Sequence, residues 1–416
     1  MKVGAVLVTS ILLVEEIIFK KIQAKNILKS YIRSNKYIGS KDRKLLYEIT
    51  FSMLKKYFGL LYICKTYNIN CTVRNLALFN FCNKFKHYNL EDLYKGKYSL
   101  KKKDEDFYIF NKAISFRNEI KPRFPSWLEK KILIKTETEK KSFYKSILSE
   151  PRFDIAINIM KYSREDVKNK LEKHNLICSY TKNSTVGITI KNRIPNNTLI
   201  KIKSDMFEVQ DEGSQLMTLL IGAKTNMKIL DMCAGKGTKT ILMSNLLKSE
   251  GIITAFDKIK ERLSVLKRRV RELKLKNINF DLDMKNQDQF DLVLCDVPCS
   301  GTGTWRRRPE SIIWLKNEEL EKLKSVQNNI LINAARFCKT GGKIVYITCS
   351  LLYDENEFQI KNFLNHFKKF HTINFKEDIK KFIKKEIFKY NKYGFTLSPD
   401  VLNTDGYFIS MLKKSA

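Results

Sequence analysis

Apolar residues recur every three or four positions along the first 120 residues, which is the period of an amphipathic helix. In the stretch RKLLYEITFSMLKKYFGLLYICK, for example, Ile49 and Met53 fall on one helical face, and lysines and tyrosines fill the positions between apolar residues. Ser40, just before this stretch, is a candidate N-cap. The pattern predicts an all-helical domain over residues 1–125.

The next region mixes strand and helix patterns. Prolines flank residues 126–149, which we interpret as a helical connector. Over residues 150–213, the segments RFDIAINIMKY, VGITIK and TLIKIK have the alternation and the β-branched content of strands. Ser163 and Asp166 open the intervening SREDVKNKLEKH with the spacing of a capping box. This order predicts a small α/β module.

From residue 214 onward, short apolar strands alternate with amphipathic helices. KILDMC, GIITAFD, FDLVLCD and KIVYITCS are strand-like, whereas KIKERLSVLKRRVRELKL places Leu266 and Val270 on one face and basic residues opposite. NEELEKLKSVQNNILINAARFCK carries acids in its first turn and precedes a Gly-Gly pair that ends helices. The alternation is typical of a doubly wound parallel sheet, so residues 214–416 are predicted to form a Rossmann-like α/β domain.

Composition adds a strong positive charge. The chain has 78 Lys and Arg residues against 44 Asp and Glu residues, a formal net charge of +34. A coding bias toward Lys, Asn and Ile would raise the number of lysines, but it would not suppress the acids this far. Because such a surplus attracts phosphates and releases their counterions on binding, the charge indicates a nucleic-acid partner.

The cysteines and the N-terminus argue against a zinc protein and against an exported one. None of the nine cysteines forms a C-x-x-C pair, and the four histidines lie far from them in sequence, so no metal site is expected. An odd number of cysteines without a regular framework is typical of reduced thiols in a cytoplasm. The apolar run from Val3 to Val14 is too short to span a bilayer and lacks a cleavage site. We interpret it as a core helix and expect a cytoplasmic protein without membrane association.

A glycine-containing turn follows the first strand of the C-terminal domain. In LDMCAGKGTKT, Asp231 ends the strand, and Gly235 and Gly237 precede a helix, so backbone N–H groups can approach a ligand. The turn matches neither G-x-G-x-x-G nor the Walker pattern, which favours a cofactor without phosphates. Asp257 ends the next strand, where an acid either accepts the hydroxyls of a ribose or caps a helix. This combination is common in S-adenosylmethionine (SAM) sites.

Two cysteines stand at the ends of later strands. Cys299 lies in DVPCSGTGT and Cys349 lies in YITCSLL, and a serine follows each of them. An isolated cysteine is usually an inert buried side chain, as we expect for Cys178 and Cys338. Open α/β sheets bind ligands at the carboxyl ends of their strands, so two Cys-Ser dipeptides there indicate a chemical role.

Two thiols beside a methyl donor fit the methylation of a pyrimidine at carbon 5. That carbon is a poor nucleophile until a thiolate adds to carbon 6. The ring then takes the methyl group, a base removes the proton at carbon 5, and elimination frees the thiol. The scheme needs a reactive cysteine, a carboxyl group near N3 and a second group that assists breakdown. Asp296 can supply the carboxyl group, and Cys299 and Cys349 can fill the other two roles in either order.

Basic and aromatic residues follow the first of these cysteines. Arg306, Arg307 and Arg308 are candidates for phosphate contacts, and Trp305 is a candidate for stacking on a base. A base within a helix or loop would have to turn outward to reach such a pocket.

Six blocks of the sequence occur in the order and spacing of one family. They are VQDEGSQL, LDMCAGKGTKT, FDKIKERL, DVPCSGTGTWRRRPE, GGKIVYITCSLLYDENE and DGYFISMLKK. Through these blocks, the chain from about residue 150 onward resembles the Nop/Sun family of RNA (cytosine-5) methyltransferases, particularly its bacterial RsmB branch. The resemblance implies a SAM-dependent methyltransferase domain that acts on RNA, most often ribosomal RNA. Residues 1–120 resemble the helical RNA-binding domain of that branch only loosely, through YIGSKDRKLL.

The resemblance also implies roles for single residues. The cysteine of the T-C-S block is the family's nucleophile, which implies Cys349, and the cysteine of P-C-S helps to release the product, which implies Cys299. Asp296 would lie between the cofactor and the target base. The implied cofactor-binding residues are Cys233, Ala234, Gly235, Lys236, Gly237, Thr238, Lys239, Asp257, Asp283 and Asp296.

The cofactor loop departs from the family pattern, which leaves other functions open. The family usually has A-A-P-G-G-K, whereas this chain has Ala-Gly-Lys-Gly-Thr-Lys and so gains a charge at Lys236. One alternative is a non-catalytic RNA-binding or ribosome assembly factor that keeps the fold. Others are methylation of another RNA such as tRNA, and methylation of DNA cytosine. We expect RNA as the partner and a monomeric protein.

Overall fold

The computed structural model separates the chain into two units. Unit one contains Met1–Lys130, Ile147–Ser149 and Trp305–Lys316, and unit two contains Lys131–Ser146, Glu150–Thr304 and Asn317–Ala416. The structure describes residues 1–416 without 117–119, 122, 133–135, 193, 195–197, 199–201, 203–204, 249, 281–288, 385–388 and 416. Unit two holds both sheets of the molecule, so the domain boundary predicted at residue 213 stays a prediction.

Unit one is built from helices, as the apolar spacing predicted. Side chains such as Leu7, Leu28 and Phe79 are fully buried in its core. A 3-10 turn lies at Leu90–Leu93. The connector region forms the helix Glu137–Leu148, most of which belongs to unit two. The helices of unit one are Val3–Lys20, Ala24–Ser34, Ser40–Thr66, Val73–Lys84, Glu105–Ser115, Ser126–Glu129 and Glu310–Trp314.

The two predictions for the start of unit one have different outcomes. The N-terminal apolar run forms the helix Val3–Lys20 and buries Val14 and Ile17, which confirms the predicted core helix. No helix within the described parts of the chain has the length and apolar character needed to cross a membrane. The predicted N-cap at Ser40 is wrong, because Gly39 has the non-helical backbone that an N-cap requires and Ser40 is already helical.

The structure also corrects the prediction for the residues that follow Thr304. Trp305 was expected to stack on a base, but its ring is only 1% exposed and packs against Phe124 with the ring centroids 4.6 Å apart. Arg306 was expected to contact phosphate, but it is also only 1% exposed. A side chain enclosed in the helical unit cannot reach an RNA strand, so both predictions are wrong. Arg307 is half-buried and Arg308 is exposed, and for these two the prediction stays open.

Unit two begins with a small antiparallel sheet beside a helix. The helix Arg164–Glu172 starts with the predicted capping box, in which the Ser163 hydroxyl accepts from the Asp166 N–H and the Asp166 carboxylate accepts from the Ser163 N–H, each at 3.1 Å. The predicted strand TLIKIK lies mostly outside the described residues. The strands have the order β2-β3-β1-β4, with β1 at Phe153–Ile157, β2 at Cys178–Tyr180, β3 at Gly187–Ile190 and β4 at Phe207–Val209.

A nine-stranded sheet forms the rest of unit two. Its order is β11-β12-β13-β9-β8-β5-β6-β7, and β10 pairs with β13. The strands are β5 Lys228–Asp231, β6 Ile252–Ala255, β7 Ile278–Asn279, β8 Phe290–Asp296, β9 Cys338–Thr348, β10 Phe370–Thr372, β11 Lys389–Asn391, β12 Gly394–Leu397 and β13 Tyr407–Lys414. The helices of this part are Glu212–Leu220, Thr238–Leu246, Lys260–Leu273, Asn317–Phe337, Glu357–His366, Lys376–Phe382 and Pro399–Leu402.

The sheet confirms the predicted Rossmann-like fold. Strands β5 to β9 are parallel, as predicted. The strands after β9 were not predicted from the sequence. Among these, β13 runs antiparallel to β9, with Phe408 opposite Thr348.

Helices cover both faces of the parallel strands. In β8, Leu292 packs with Leu266 on one face, and the next residue, Val293, packs with Leu331 on the other. Successive residues of a strand point to opposite faces, so a strand covered on both sides reads as a continuous apolar run such as FDLVLCD. Burying each such side chain contributes about 1.5–3 kcal/mol. This core leaves only the strand ends open to a ligand.

Candidate active site

The carboxyl ends of β5, β8 and β9 bring the predicted site residues to one edge of the sheet. β5 ends at Asp231 and β8 ends at Asp296, and Cys349 follows β9 directly. The register supports this arrangement, since Asp296 is opposite Ile347 in the neighbouring parallel strand. The end of an open α/β sheet is the place where ligands bind in this fold.

The two predicted cysteines meet at this edge. The Sγ atoms of Cys299 and Cys349 lie 3.3 Å apart, and both residues are half-buried with free thiols. The two turns are also joined through the backbone, because the Gly303 N–H donates to the carbonyl of Cys349 at 2.9 Å. Two residues 50 positions apart in sequence therefore form one sulfur pair.

The contact between the two sulfurs affects the protonation of Cys299. The hydrogen bond with Cys349, together with burial, raises the pKa of the Cys299 thiol well above its usual range. Two neighbouring thiolates would also repel each other. Cys299 therefore keeps its proton, and its S–H can donate toward Cys349.

Four other cysteines of unit two are half-buried or buried. Burial raises the pKa of Cys233 and of Cys295 well above the usual range, which keeps both as neutral thiols. Cys178 and Cys338 are buried, as expected for inert side chains. No group of three His, Cys, Asp or Glu side chains that could hold a metal ion occurs among the described residues.

A partly buried ion pair lies beside the sulfur pair. The Lys239 ammonium donates to Asp296 Oδ2 at 2.7 Å, and the Lys239 side chain is 12% exposed against 31% for Asp296. Burial lowers the pKa of Lys239, but the Asp296 carboxylate outweighs this effect and the net pKa is raised. The pair fixes the orientation of the Asp296 carboxyl group. Sequence reasoning selected both residues but did not predict that they pair.

The glycine turn has the backbone that its sequence predicted. Gly235 and Gly237 have φ angles of 55° and 86°, in the left-handed region that favours glycine. A Cβ on Gly237 would lie 2.0 Å from Leu266 Cδ1, so this residue must also be small. A Cβ on Gly235 would meet nothing closer than 3.9 Å, which leaves space in front of the turn. Thr238 is the first residue of the following helix.

Two aspartates support this turn and the helix after it through hydrogen bonds. Asp257 accepts the N–H of Gly235 and the N–H of Ile259, both at 2.8 Å. Asp231 is 1% exposed and accepts the Thr240 hydroxyl at 2.8 Å, and burial raises its pKa to about 7. The helix-capping interpretation of Asp257 is wrong, because Ile259 is the N-cap of the helix Lys260–Leu273 and no side-chain capping bond forms there. A carboxylate has about four acceptor positions, so the two bonds to Asp257 leave room for a ribose contact.

The remaining predicted cofactor residues complete the turn, with one exception. The Ala234 N–H donates to the Phe256 carbonyl at 2.9 Å. The Lys236 side chain is exposed, and its carbonyl accepts from the Arg269 guanidinium, which also pairs with Glu208 at 2.6 Å. Asp283 lies outside the described residues. The charged side chain of Lys236 therefore takes no part in the packing that supports the turn.

Sequence reasoning missed one buried acid at this edge. Glu355 is fully buried and accepts hydrogen bonds from Ser300 and Ser350, the residues that follow the two cysteines. The only signal was an acid-rich stretch, YDENE, after the second Cys-Ser dipeptide. Three acids in that stretch made the buried one impossible to select by pattern.

Comparisons with known proteins show what the C-terminal part of the chain resembles. A family profile described as 16S rRNA methyltransferase RsmB/F matches residues 217–413. The ribosomal RNA small subunit methyltransferase B of Proteus mirabilis is 30% identical over 259 residues, which are 60% of this chain and 60% of that protein. The protein of the same name from Shewanella oneidensis is 34% identical over 216 residues, 50% of this chain and 47% of that protein. The chain thus matches about half to three fifths of the length of these relatives.

Solved structures show the same fold. PH0851 has a TM-score of 0.75 at 20% identity and covers 100% of both chains. NSun6 from Pyrococcus horikoshii with SFG has a TM-score of 0.59 at 20% identity and covers 70% of this chain and 99% of that chain. The resemblance inferred from the sequence blocks is confirmed over residues 217–413, which match the family model described as 16S rRNA methyltransferase RsmB/F.

Proposed function

We propose that this protein methylates carbon 5 of a cytosine in ribosomal RNA of the small subunit, with SAM as the methyl donor. The observation that carries the proposal is the 3.3 Å contact between Cys299 Sγ and Cys349 Sγ beside the Asp296 carboxylate. Methylation at an unreactive ring carbon needs a thiolate, a neighbouring proton donor and acceptor, and a fixed carboxyl group. All three kinds of group lie at one edge of the sheet.

The two sulfurs have different parts in the proposed reaction. Cys349 adds to carbon 6 as the thiolate, and the S–H of Cys299 stabilises that thiolate before the addition. After the methyl group is in place and the proton at carbon 5 has been removed, elimination breaks the bond between carbon 6 and Cys349. Cys299 assists this release. The high pKa of Cys299 supports the division of roles, because the sulfur that keeps its proton is the poorer nucleophile.

Asp296 orients the base, and Lys239 orients Asp296. The carboxylate hydrogen-bonds the ring edge near N3, and the ion pair with Lys239 holds it in place. A fixed partner at the ring edge matters because misplacement by 1 Å can cost about 100-fold in rate. The Lys239 ammonium also lies near Cys349.

The glycine turn fits SAM. The left-handed Gly235 leaves open space in front of the backbone, and the helix that starts at Thr238 directs its N-terminus at the turn. Bound SAM supplies an activated methyl group on a sulfonium. The residues that would hold it are those of the turn together with Asp257 and Asp283, and the structural neighbour with SFG, a SAM analogue, supports this choice.

Ribosomal RNA is the proposed substrate for two reasons. The relatives that match this chain are named for methylation of small-subunit ribosomal RNA. The net charge of +34 suits a long, highly charged RNA, whose phosphates bind cations with release of counterions. We propose that the enzyme acts as a monomer in the cytoplasm.

The proposal predicts that Cys349→Ala abolishes methyl transfer, a fall of at least about 10⁴-fold, while SAM still binds. Transfer of labelled methyl to small-subunit ribosomal RNA measures the first effect, and calorimetry measures the second. Cys71→Ala, which removes an exposed thiol in unit one, is the matched control and should retain wild-type activity. Retained transfer by Cys349→Ala would exclude the nucleophile, and failure of the wild-type protein to bind SAM would favour a non-catalytic RNA-binding factor.

A further inference from the structure

Glu355 uses both of its carboxylate oxygens in the interior of unit two. Its side chain is 0% exposed. Oε1 accepts from the Ser300 N–H at 2.9 Å and from Gln327 Nε2 at 3.0 Å. Oε2 accepts from the hydroxyls of Ser300 and Ser350, both at 2.5 Å. These four donors give both oxygens of the buried carboxyl group two partners each, so its position is fixed from two sides.

The two serines bound by Glu355 are the residues that follow the two cysteines. Ser300 follows Cys299, and Ser350 follows Cys349. A single carboxylate therefore joins the two turns that carry the sulfur pair. The contact between the sulfurs at 3.3 Å is a weak interaction, and the backbone bond from the Gly303 N–H to the Cys349 carbonyl is a second link between the turns. Glu355 adds a link through both serines, next to the sulfurs.

Further hydrogen bonds make this link rigid. Thr302 Oγ1 lies 3.1 Å from Ser350 Oγ and accepts the Leu351 N–H at 2.7 Å. Gln327, on the helix Asn317–Phe337, donates both to Glu355 and to the Pro298 carbonyl at 3.0 Å. The carbonyl of Glu355 in turn accepts the Tyr346 hydroxyl at 2.6 Å. The acid is thus anchored to the strand and the helix that flank the site.

We propose that Glu355 is a positioning residue for the methyl transfer, one that fixes the separation of the two sulfurs by holding Ser300 and Ser350 together. This inference rests on the proposed function.

The negative charge of Glu355 has a second effect, on the pKa of Cys299. After the hydrogen bond with Cys349 and burial, the Glu355 carboxylate is a further cause of the raised pKa of Cys299, so it helps to keep the proton on that sulfur.

Two substitutions separate the contacts from the charge. Glu355→Ala removes all four hydrogen bonds and leaves buried donors unpaired. Glu355→Gln removes the charge but keeps the contacts, because its oxygen can face the two N–H donors and its NH₂ group can donate to the two serine hydroxyls, which also accept. Glu357 supplies a matched control. It is a second buried acid in the same segment, 5% exposed, and it accepts from Asn391 at 3.1 Å rather than from either cysteine turn.

The experiment measures kcat and KM for methyl transfer to ribosomal RNA, with the melting temperature of each variant. We expect Glu355→Ala to lower kcat by about 100-fold with KM and SAM affinity unchanged within about twofold. Glu355→Gln should recover to within about tenfold of wild type, and Glu357→Ala should stay within about threefold of it. The positioning role is overturned if Glu355→Ala is no slower than Glu357→Ala, or if Glu355→Gln is as slow as Glu355→Ala.

A second measurement is independent of methyl transfer and of the alanine variant. Alkylation of Cys299 by iodoacetamide, followed by peptide mass spectrometry across pH, reports the ionisation of that thiol. Removal of the anion in Glu355→Gln should shift the midpoint to lower pH, whereas Glu357→Gln should leave it unchanged. An unchanged midpoint in Glu355→Gln would overturn the link to the sulfurs. If the wild-type protein transfers no methyl group but the midpoint for Cys299 is still lower in Glu355→Gln than in wild type, the proposed function fails. The coupling of Glu355 to the sulfur pair then stands.

Discussion

Two regions at the carboxyl ends of the strands are held by different kinds of contact. One is the glycine turn around Gly235 and Gly237, here called the cofactor turn, and the other is the pair of turns that carry Cys299 and Cys349, here called the cysteine turns. The cofactor turn depends on its backbone, since Asp257 accepts the Gly235 N–H and the turn needs glycine at positions with positive φ. The cysteine turns depend on side chains, because Ser300 and Ser350 both donate to the Glu355 carboxylate. A turn held by its backbone tolerates exchange of exposed side chains but not of its glycines. A turn held by side chains tolerates little change in the groups that donate and accept.

This difference explains why the altered cofactor loop keeps its shape. Lys236 is the residue that departs most in charge from the family pattern, yet its side chain is exposed and only its carbonyl is bound, by Arg269. The contact would form with any residue at that position, since every residue has a carbonyl. The departure therefore changes the charge facing a ligand and leaves the turn's support unchanged.

The largest effect is expected when a residue of the cysteine turns is replaced. Cys299→Ala should lower turnover by about 10³-fold, which corresponds to roughly 4 kcal/mol, because release of the Cys349 adduct loses its assisting thiol. The variant should accumulate a covalent protein–RNA complex, visible on denaturing gels. The double variant Cys299→Ala/Cys349→Ala should form none. Normal turnover in Cys299→Ala would remove the release role from this residue.

An intermediate effect is expected on the backbone side. Gly237→Ala combines an unfavourable φ of 86° with a Cβ only 2.0 Å from Cδ1 of the buried Leu266, so we expect a loss of about 3 kcal/mol in the free energy of unfolding. Gly341→Ala is the control, since its φ is 77° and its Cβ would meet nothing within 4 Å; a loss of about 1 kcal/mol is expected. Urea unfolding measures both. Equal losses would show that the turn adapts to a side chain.

The smallest effect concerns the acid beneath the cofactor turn. Burial raises the pKa of Asp231 from 3.8 to about 7, so its contribution to stability is present below about pH 4 and is lost as the pH rises toward 7. Asp231→Asn does not titrate. Between pH 5 and pH 8, its free energy of unfolding should therefore fall by about 2 kcal/mol less than that of wild type. An identical fall in both proteins, measured by urea unfolding, would mean that Asp231 is ionised throughout.

The sequence contained enough information for the parts of the fold that local patterns specify. Continuous apolar runs predicted the parallel strands, and the spacing of Ser163 and Asp166 predicted a capping box that the structure contains. The positions of Cys299 and Cys349 after strands were sufficient to predict that they meet, because parallel strands end at a common edge.

Features that depend on distant partners were not predictable in this way. Nothing local marks Trp305 and Arg306 as buried, since an exposed Trp-Arg-Arg-Arg run is an ordinary sign of RNA contact, and their burial follows from packing such as that on Phe124. Likewise, the pairing of Lys239 with Asp296 joins residues 57 positions apart. The choice of Glu355 among neighbouring acids required the positions of both serines.

The position of β13 has a consequence for biosynthesis. This strand lies between β9 and β12 in the sheet, and the residue just before it, Gly406, donates its N–H to the carbonyl of Gly303, which in turn donates to Cys349. A chain emerging from a translating ribosome would hold β9 with an unpaired edge until residues 407–414 had been made, because domains generally fold as units. The two sulfurs would therefore reach their final arrangement late in synthesis, only after β13 has been made.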